Sequence, residues 1–390
     1  MKNIGLLLSI GFILVSNLNG QGRTWANIDT GYCALTVTAI GSIGFTSPDT
    51  GQGDGFQYPK FTPSVLYYGG MALGNSIRYV VDRFYDKDWR LVDSLRSVIP
   101  PIWGSEQMYR CLTGDGGHPT PKGLQARSWF MGRGTRYFPG YDDFVILIYD
   151  YENPTDSTIS NLYSGLFLNF DVGAPGEIVR SDSLRRFIYE LNSTNPNPTV
   201  GLRLLYPRVA ANLSLIDHAI YIYPPGRWHD STRIKFLNGT YRQSQSTRPY
   251  DYSICASAGP FNLTPGGKQR VAYAIVGGHD SLKAKEHSDS AQSWYDREVE
   301  VEDEVRSHKL EARLKIWPNP VKTNIRLQMS DISYKDLKIE IYDASGKLVR
   351  DISQSVTPGQ WFKVSLNPGV YFVRLETESA TVTKKLVLVR

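Results

Sequence analysis

Four carboxylates flank one pair of predicted strands, and they are the residues best placed to do chemistry. Asp142 and Asp143 precede an apolar run, whereas Asp171 and Glu177 follow the next strand along the chain. Two carboxylates that meet across a cleft can hydrolyse a glycosidic bond, one acting as the acid and the other as base or nucleophile. Carboxylates beside strands are more often solubilising or turn-forming. The sequence therefore favours a non-catalytic protein, with a hydrolase such as a glycosidase as the alternative.

Two tryptophans indicate another use, the binding of a glycan. Trp103 lies two residues after Pro101, and Trp228 follows a Pro-Pro-Gly stretch, so both rings are predicted on loops. A sugar can stack on an exposed flat ring. Core packing is the commoner role of tryptophan, so binding, adhesion and a purely structural role all stay open for the main part of the chain.

Nucleophile and cofactor motifs are missing from the sequence. The chain contains no G-x-S-x-G, H-E-x-x-H, C-x-x-C or P-loop pattern, and no glycine loop of the dinucleotide-binding kind. Its three cysteines, Cys33, Cys111 and Cys255, allow three different pairings, and burial of all three as free thiols is the alternative. We predict no catalytic residue and no cofactor.

Metal ligation is also not predicted. The six histidines are scattered, and no two are spaced to share a metal on one helix or strand. The glycine-rich loop at residues 47–55 has Gly51 and Gly53 where a calcium-binding EF-hand needs oxygen side chains. Acid and imidazole neighbours such as Asp217 and His218 are predicted at turns on the surface, because adjacent strand residues point to opposite faces.

The charge of the chain argues against a nucleic-acid partner. The net charge is +5 and the isoelectric point is near 8.9, but the excess of basic residues lies after residue 313. The residues before it are close to neutral overall. This leaves no basic face with interleaved aromatic residues to contact phosphates.

The long middle of the chain is predicted to be a large all-β sandwich. Its clearest strand, residues 144–149, is apolar at every position, which predicts a central strand covered on both faces. A turn near Asn153 and the alternating residues 158–170 predict that the next strand returns as an antiparallel hairpin. Further strands are predicted at residues 32–40, 65–72, 78–85, 107–112, 125–131, 187–191, 200–205, 219–223, 252–256 and 270–276.

One late helix is predicted after residue 279, with Asp280 or Ser281 as its cap. Ala284, His287, Ala291 and Trp294 fall on one face of this helix, and that face should pack on the sheet. The charge-dense residues 296–306 have little to bury and predict an exposed linker, with an extension of the helix as the alternative.

The two ends of the chain carry different signals. Residues 1–20 have one lysine, a short apolar run and then small or polar residues, which is the pattern of a signal peptide. We predict a main domain at residues 21–297, a charged linker at 298–312 and a separate module at 313–390. Six short alternating strands predict that this module is an immunoglobulin-like β-sandwich.

Four sequence blocks of the module stand in a definite order. Pro318, Asn319 and Pro320 open it, Gly346 closes a predicted hairpin with the positive φ that glycine tolerates, and the sequence ends on alternating apolar residues. The other marked residues are Gly369, Tyr371, Lys384 and Lys385. These blocks resemble the type A C-terminal sorting domain of type IX secretion cargo, with Trp317 in place of the usual tyrosine.

This resemblance implies a route and a set of partners. A chain of this kind crosses the inner membrane of a Bacteroidetes-like cell by the Sec translocon and the outer membrane by the type IX translocon. A sortase-like peptidase usually removes the module, and the product is secreted or held on the cell surface. Residues 66–74, 142–149 and 162–173 are similar to a β-rich region of other such cargo that has no assigned activity, so they imply no catalytic residue.

Overall fold

The computed structural model describes residues 23–134, 140–174, 176–300, 315–328, 338–353, 361–376 and 381–389. The predicted signal peptide and residues 301–312 of the predicted linker lie outside these ranges. The strands before the linker are β1 (Trp25–Ile28), β2 (Ala34–Thr38), β3 (Ser42–Ile43), β4 (Phe56–Gln57), β5 (Leu66–Ser76), β6 (Tyr79–Asp82), β7 (Arg90–Ser97), β8 (Gln107–Gly114), β9 (Gln125–Gly132), β10 (Phe144–Glu152), β11 (Ile159–Phe170), β12 (Glu177–Asp182), β13 (Phe187–Asn192), β14 (Thr199–Tyr206), β15 (Asn212–Asp217), β16 (Tyr252–Leu263) and β17 (Lys268–Gly278).

These strands form two antiparallel sheets that share one core. The first sheet runs β1-β2-β3-β5-β11-β16-β15, with β4 paired to β2 and β6 paired to β5. The second runs β12-β13-β14-β17-β10-β9-β8-β7. Apolar side chains from both sheets fill the space between them, as expected of facing sheets in a sandwich. We call this part of the protein the main body.

Strand β10 confirms the prediction of a central strand covered on both faces. It lies between β9 and β17. Val145 and Leu147 point into the core between the sheets, and Ile146 and Ile148 point outward into a second apolar cluster. Because successive side chains alternate between faces, a strand buried on both sides must be apolar throughout.

The predicted hairpin of β10 and β11 is wrong. Strand β10 pairs with β9 and β17 in the second sheet, whereas β11 pairs with β5 and β16 in the first. The connection therefore crosses from one sheet to the other, and the hydroxyls of Tyr151 and Ser164 meet across the core at 2.8 Å. The alternation of side chains shows which face of a strand is buried, but it does not show which strand is its neighbour.

The late helix, α3 (Ser281–Trp294), forms as predicted. The side chain of Asp280 caps it by accepting from the Lys283 amide at 2.8 Å. Ala284, Ala291 and Trp294 are buried in the cluster on the outer face of the second sheet. A π-helical turn at Tyr295–Glu300 continues α3. The charge-dense stretch therefore begins as an extension of the helix, which was the alternative to an exposed linker.

Two short helices were not predicted. They are α1 (His218–Tyr221) and α2 (Asp230–Leu237), and the first of them replaces the predicted strand at residues 219–223. The reason is local, since the side chain of Asp217 accepts from the Ala219 amide at 3.0 Å and so caps the first turn. Aromatic residues at alternate positions had imitated the pattern of a strand.

A second β unit follows residues 301–314, which the structure does not describe. Its strands are β18 (Lys315–Trp317), β19 (Asn324–Gln328), β20 (Lys338–Asp343), β21 (Leu348–Asp351), β22 (Trp361–Lys363), β23 (Gly369–Glu376) and β24 (Thr381–Leu388). They make one sheet of β18-β19-β22 and another of β21-β20-β23-β24, with a separate core between them. The fold class is thus confirmed as all-β, with a late helix and a C-terminal β unit. The predicted left-handed Gly346 has φ +85°.

Candidate functional site

A cavity of about 680 Å³ opens beside the end of β11. Several separate parts of the chain line it, namely the start of β5, the loop from β11 to β12, the region of α1 and the segment before β16. Four tyrosines are prominent in the lining, and we call the cavity the tyrosine pocket; they are Tyr67, Tyr85, Tyr223 and Tyr250. Tyr223 is 56% exposed, so its ring is open to a ligand.

Two of the four predicted carboxylates, Asp171 and Glu177, line this pocket. Asp171 begins the loop after β11, where its amide donates to the Val65 carbonyl at 2.9 Å and its side chain accepts from the Gly173 amide at 3.2 Å. Glu177 begins β12 and exchanges two backbone hydrogen bonds with Tyr250 at 2.8 and 3.2 Å. The backbone thus brings together two carboxylates that the sequence could only place near each other.

The other two predicted carboxylates lie elsewhere. Asp143 accepts from the Tyr58 hydroxyl at 2.6 Å, and its other oxygen is 3.6 Å from Nε2 of His287. The backbone carbonyl of Asp142 accepts from the amides of Tyr32 and Cys33. Both aspartates are buried at the start of β10, and neither lines the tyrosine pocket.

Glu177 is an acid whose proton is held unusually tightly. It is only 6% exposed, and this burial raises the pKa of its carboxyl to about 7, with a further rise from Asp251 and Asp171. Its Oε2 atom finds no hydrogen-bond partner within the described part of the chain. Near neutral pH the side chain can therefore both give and take a proton.

A third carboxylate, Asp251, enters the pocket with a histidine that sequence reasoning placed on the surface. His218 is in fact buried, with one ring nitrogen 3.1 Å from Asp251 and the other 2.6 Å from the Ser253 hydroxyl. This is the order of groups in a serine nucleophile site. Ser253 is fully buried within β16, however, so its hydroxyl serves to orient the ring and is not open to a substrate.

The neighbour of His218 was also predicted on the surface, and that prediction is wrong. Asp217 is buried at the end of β15, where it caps α1 and its second oxygen pairs with Arg248 at 2.9 Å. His218 follows this cap as the first residue of α1 and is one of the residues that line the pocket.

The two candidate tryptophans both pack against other rings. Trp103 is 2% exposed and meets Trp129 edge to face at 5.4 Å between ring centroids. Trp228 is partly buried against Phe84 and Phe167, and its Nε1 donates to the Phe84 carbonyl at 3.1 Å. Trp228 therefore supports, from behind, the segment that carries Tyr85.

Metal-binding geometry is not found among the residues that the structure describes. No group of three or more His, Cys, Asp or Glu side chains there is arranged to hold an ion. Cys33, Cys111 and Cys255 are all buried and form no disulfide, which agrees with the alternative of three free thiols. No described helix is long and apolar enough to cross a membrane.

The residues predicted to form the sorting signal connect the two ends of the C-terminal unit. Asn319 donates to the Lys385 carbonyl at 2.6 Å and accepts from the Val387 amide at 2.9 Å, so the opening Pro-Asn-Pro block, with Pro318 and Pro320, clamps β24. Strand β24 lies at the edge of its sheet. Lys384 on this strand is half-buried and Lys385 is exposed.

Gly369 and Tyr371 lie together at the start of β23. Gly369 is the first residue of that strand, and the hydroxyl of Tyr371 donates to the Asn367 carbonyl at 2.9 Å. The tyrosine thereby ties the start of the strand to the turn before it.

Sequence comparison identifies the C-terminal unit. Residues 315–389 match the secretion system C-terminal sorting domain. No curated protein matches the chain in sequence.

Solved structures resemble the chain only distantly. A polysaccharide lyase is 8% identical with a TM-score of 0.30; the match covers 82% of this chain and 39% of the lyase, so this chain spans about two fifths of that protein's length. An aldose epimerase homologue from C. elegans is 9% identical with a TM-score of 0.32, covering 66% and 100% of the two chains. The Slr1438 protein from Synechocystis sp. PCC 6803 is 9% identical with a TM-score of 0.35, covering 72% and 100%. Likenesses this distant carry no argument about function.

Proposed function

We propose that this protein, a cargo of the type IX secretion system that is secreted or displayed on the cell surface, binds a glycan in the tyrosine pocket. The observation that carries the proposal is the combination of accessible tyrosine rings with carboxylates in one open cavity. We propose no catalytic step for the main body.

Each part of the pocket has a use in holding a sugar. The flat face of a tyrosine ring packs against the C–H face of a sugar ring, as in most sites that are largely apolar with a few polar groups. Carboxylate oxygens accept hydrogen bonds from sugar hydroxyls, and ionised acceptors make the stronger bonds. Asp171 and Asp251 stand beside Tyr223 and Tyr250 in the lining, so stacking and hydrogen bonding are available to one ligand.

The proposal also assigns parts of the chain to separate tasks. Residues 21–297 are the proposed binding domain, together with the π-helical turn that continues α3 to Glu300. The linker predicted at residues 298–312 therefore begins after Glu300, and residues 313–390 are the export address. A signal peptide at residues 1–20 would take the chain through the Sec translocon. The outer-membrane translocon and the sortase-like peptidase would then recognise the C-terminal unit, whose sorting function implies contact with the type IX machinery.

Removal of one exposed ring tests the glycan-binding proposal. We expect Tyr223→Ala in the full chain to weaken binding to its preferred member of a glycan panel about 10-fold, which corresponds to about 1.4 kcal/mol. The folded state should survive, because this ring is more than half exposed. Binding is measured by titration calorimetry or by retention on immobilised glycans.

The matched control is an exposed ring outside the pocket. Trp361 is 57% exposed and belongs to the C-terminal unit, so Trp361→Ala should bind as the unchanged protein does. The proposal is overturned if no glycan binds saturably, or if the two variants behave alike.

A specific observation favours hydrolysis as a second candidate function. Glu177, with its pKa raised to about 7, stands near Asp171 and Asp251, and a proton-holding acid beside a second carboxylate is the arrangement of a glycosidase. If the pocket is catalytic, Glu177→Gln should abolish sugar release from a polysaccharide panel while saturable binding is still detected. Saturable binding without turnover by the unchanged protein would remove this candidate.

A further inference from the structure

The tyrosine pocket carries an unusual excess of acid for a sugar site. Asp171, Glu177 and Asp251 line it, and among the lining residues that the structure describes there is no Lys or Arg. The guanidinium of Arg248 comes close, 4.6 Å from the centroid of the Tyr250 ring, but Asp217 holds it at 2.9 Å. Asp251 has partners in the lining, because His218 lies 3.1 Å from one of its oxygens and the Tyr223 hydroxyl donates to the other. Asp171 and Glu177 face the cavity without a Lys or Arg of the lining beside them.

A fourth acid, Glu190, does not line the pocket but lies on the same face of its sheet as Glu177. Glu190 is two residues before Asn192 on β13, and Asn192 is opposite Glu177 in the β12–β13 pair. Alternate residues of one strand and opposite residues of a pair share a face, so all three side chains point the same way. Asn192 marks that direction, because its amide donates to the Gly173 carbonyl in the pocket lining at 2.6 Å.

The carboxylate of Glu190 is left without a partner. The residue is fully buried, and neither of its oxygens finds a hydrogen-bond donor in the described parts of the chain. Burial raises the pKa of this carboxyl well above its ordinary value, and Glu177, Asp251 and Asp171 raise it further. A buried carboxyl without a partner is costly in a folded protein, so its position among other acids calls for a function.

We propose that the tyrosine pocket selects a sugar that carries a primary ammonium group, such as a glucosamine unit of a polysaccharide. This inference rests on the proposed glycan-binding function and names its ligand class. An ammonium brings three donors, and Oε2 of Glu177, a residue of the lining, has no hydrogen-bond partner in the described part of the chain. The tyrosine faces add attraction, since the negative face of an aromatic ring favours a cation.

The geometry distinguishes an amino sugar from a plain one. A neutral sugar offers the acids of the lining only hydroxyl donors and no positive charge. An amino sugar places one positive charge among them and stacks its ring on the tyrosines at the same time. A lysine side chain offers the same charge without a sugar ring, so it should gain less from Tyr223.

The test compares two ligands that differ only at the nitrogen. The full chain is titrated at about pH 6 with a glucosamine oligosaccharide and with the N-acetylglucosamine oligosaccharide of the same length, whose nitrogen is uncharged. We expect the amino form to bind at least about 10-fold more tightly, and added salt to reduce this preference. Asp171→Asn should weaken binding of the amino form about 10-fold and leave the acetylated form within about 2-fold.

The control variant is Asp156→Asn, an exposed aspartate at the opposite end of β11, which should change neither affinity. Equal or tighter binding of the acetylated form, or a preference that survives Asp171→Asn, overturns the ammonium assignment. If the acetylated form still binds and needs Tyr223, the glycan-binding function stands while this inference falls. If neither sugar binds, or a lysine oligopeptide binds more tightly than the amino sugar, both fall.

Discussion

Deleting residues 315–390 is expected to abolish export of the protein and to leave a folded main body in the periplasm. The deleted residues are the ones that match the sorting domain. Their apolar cluster draws only on residues from 316 to 388, while the clusters of the main body end at Val299. Because no described core residue is shared, the deletion removes the export address without opening the larger core.

The measurement is cell fractionation in a host that has a type IX secretion system. We expect surface labelling, or recovery from the medium, for the full chain, and periplasmic recovery of a protease-resistant product for the truncated chain. The positive control joins residues 301–390 to a periplasmic reporter, which should then be exported. Equal export of the full and truncated chains would show that the C-terminal unit is not the address.

The parts of the fold that depend on local pattern could be predicted from the sequence. Strand β10 is apolar at each position from Phe144 to Tyr149. A strand that is covered on both faces requires such an unbroken apolar run. Helix α3 carries its apolar residues at helical spacing behind an Asp280 cap, and Gly346 holds the positive φ of its turn. In each case the residues that determine the conformation lie within a few positions of one another.

The parts that depend on the pairing of distant strands could not be predicted. The hairpin of β10 and β11 failed because their best partners, β17 and β16, lie about a hundred residues further along the chain. Side-chain alternation carries no information about that choice. Side-chain alternation also failed at α1. The alternate aromatic residues there resemble a strand, but the cap at Asp217 starts a helix.

Only the part of the candidate site that lies close together in sequence could be predicted. Asp171 and Glu177 are close in sequence, and their joint position beside one cleft was among the hypotheses. Asp251 and His218 join them through separate strands, β16 and β15, which are neighbours in the first sheet. The acid and imidazole pair at Asp217 and His218 was the only local signal, and it was assigned to the surface. Glu190 gave no signal, since a lone acid within an alternating strand is normally exposed.

Replacing Arg233 with alanine should strongly destabilise the main body, with a loss of about 3–5 kcal/mol of unfolding free energy near pH 8. Arg233 lies on α2, and its side chain is 4% exposed. Its guanidinium is 3.2 Å from Asp82, 2.5 Å from Asp86 and 3.1 Å from Asp230. Asp82 is fully buried, so loss of the arginine leaves its charge without compensation.

The size of this effect should depend on pH, with a sign that follows from Asp82. Burial raises the pKa of Asp82 from its ordinary 3.8 to about 7, although Arg233 pulls it down. A raised pKa in the folded state gives stability that is complete below the unfolded value and is lost as the pH rises through the folded one. Without Arg233 the folded pKa rises further. The destabilisation should therefore be larger at pH 8 than at pH 5, where Asp82 can fold protonated.

Urea unfolding of the full chain at pH 5 and pH 8 measures both the loss and its pH dependence. Arg96→Ala is the matched control, because Arg96 also pairs with an aspartate, Asp93, but is 58% exposed, and such pairs contribute about 0–1 kcal/mol. Adding Asp82→Asn to the Arg233→Ala variant should recover part of the loss at pH 8, because the amide carries no charge to leave unpaired. A loss below about 1 kcal/mol at pH 8, or a loss that is the same at both pH values, would contradict the view that α2 is held to the first sheet through this buried charge.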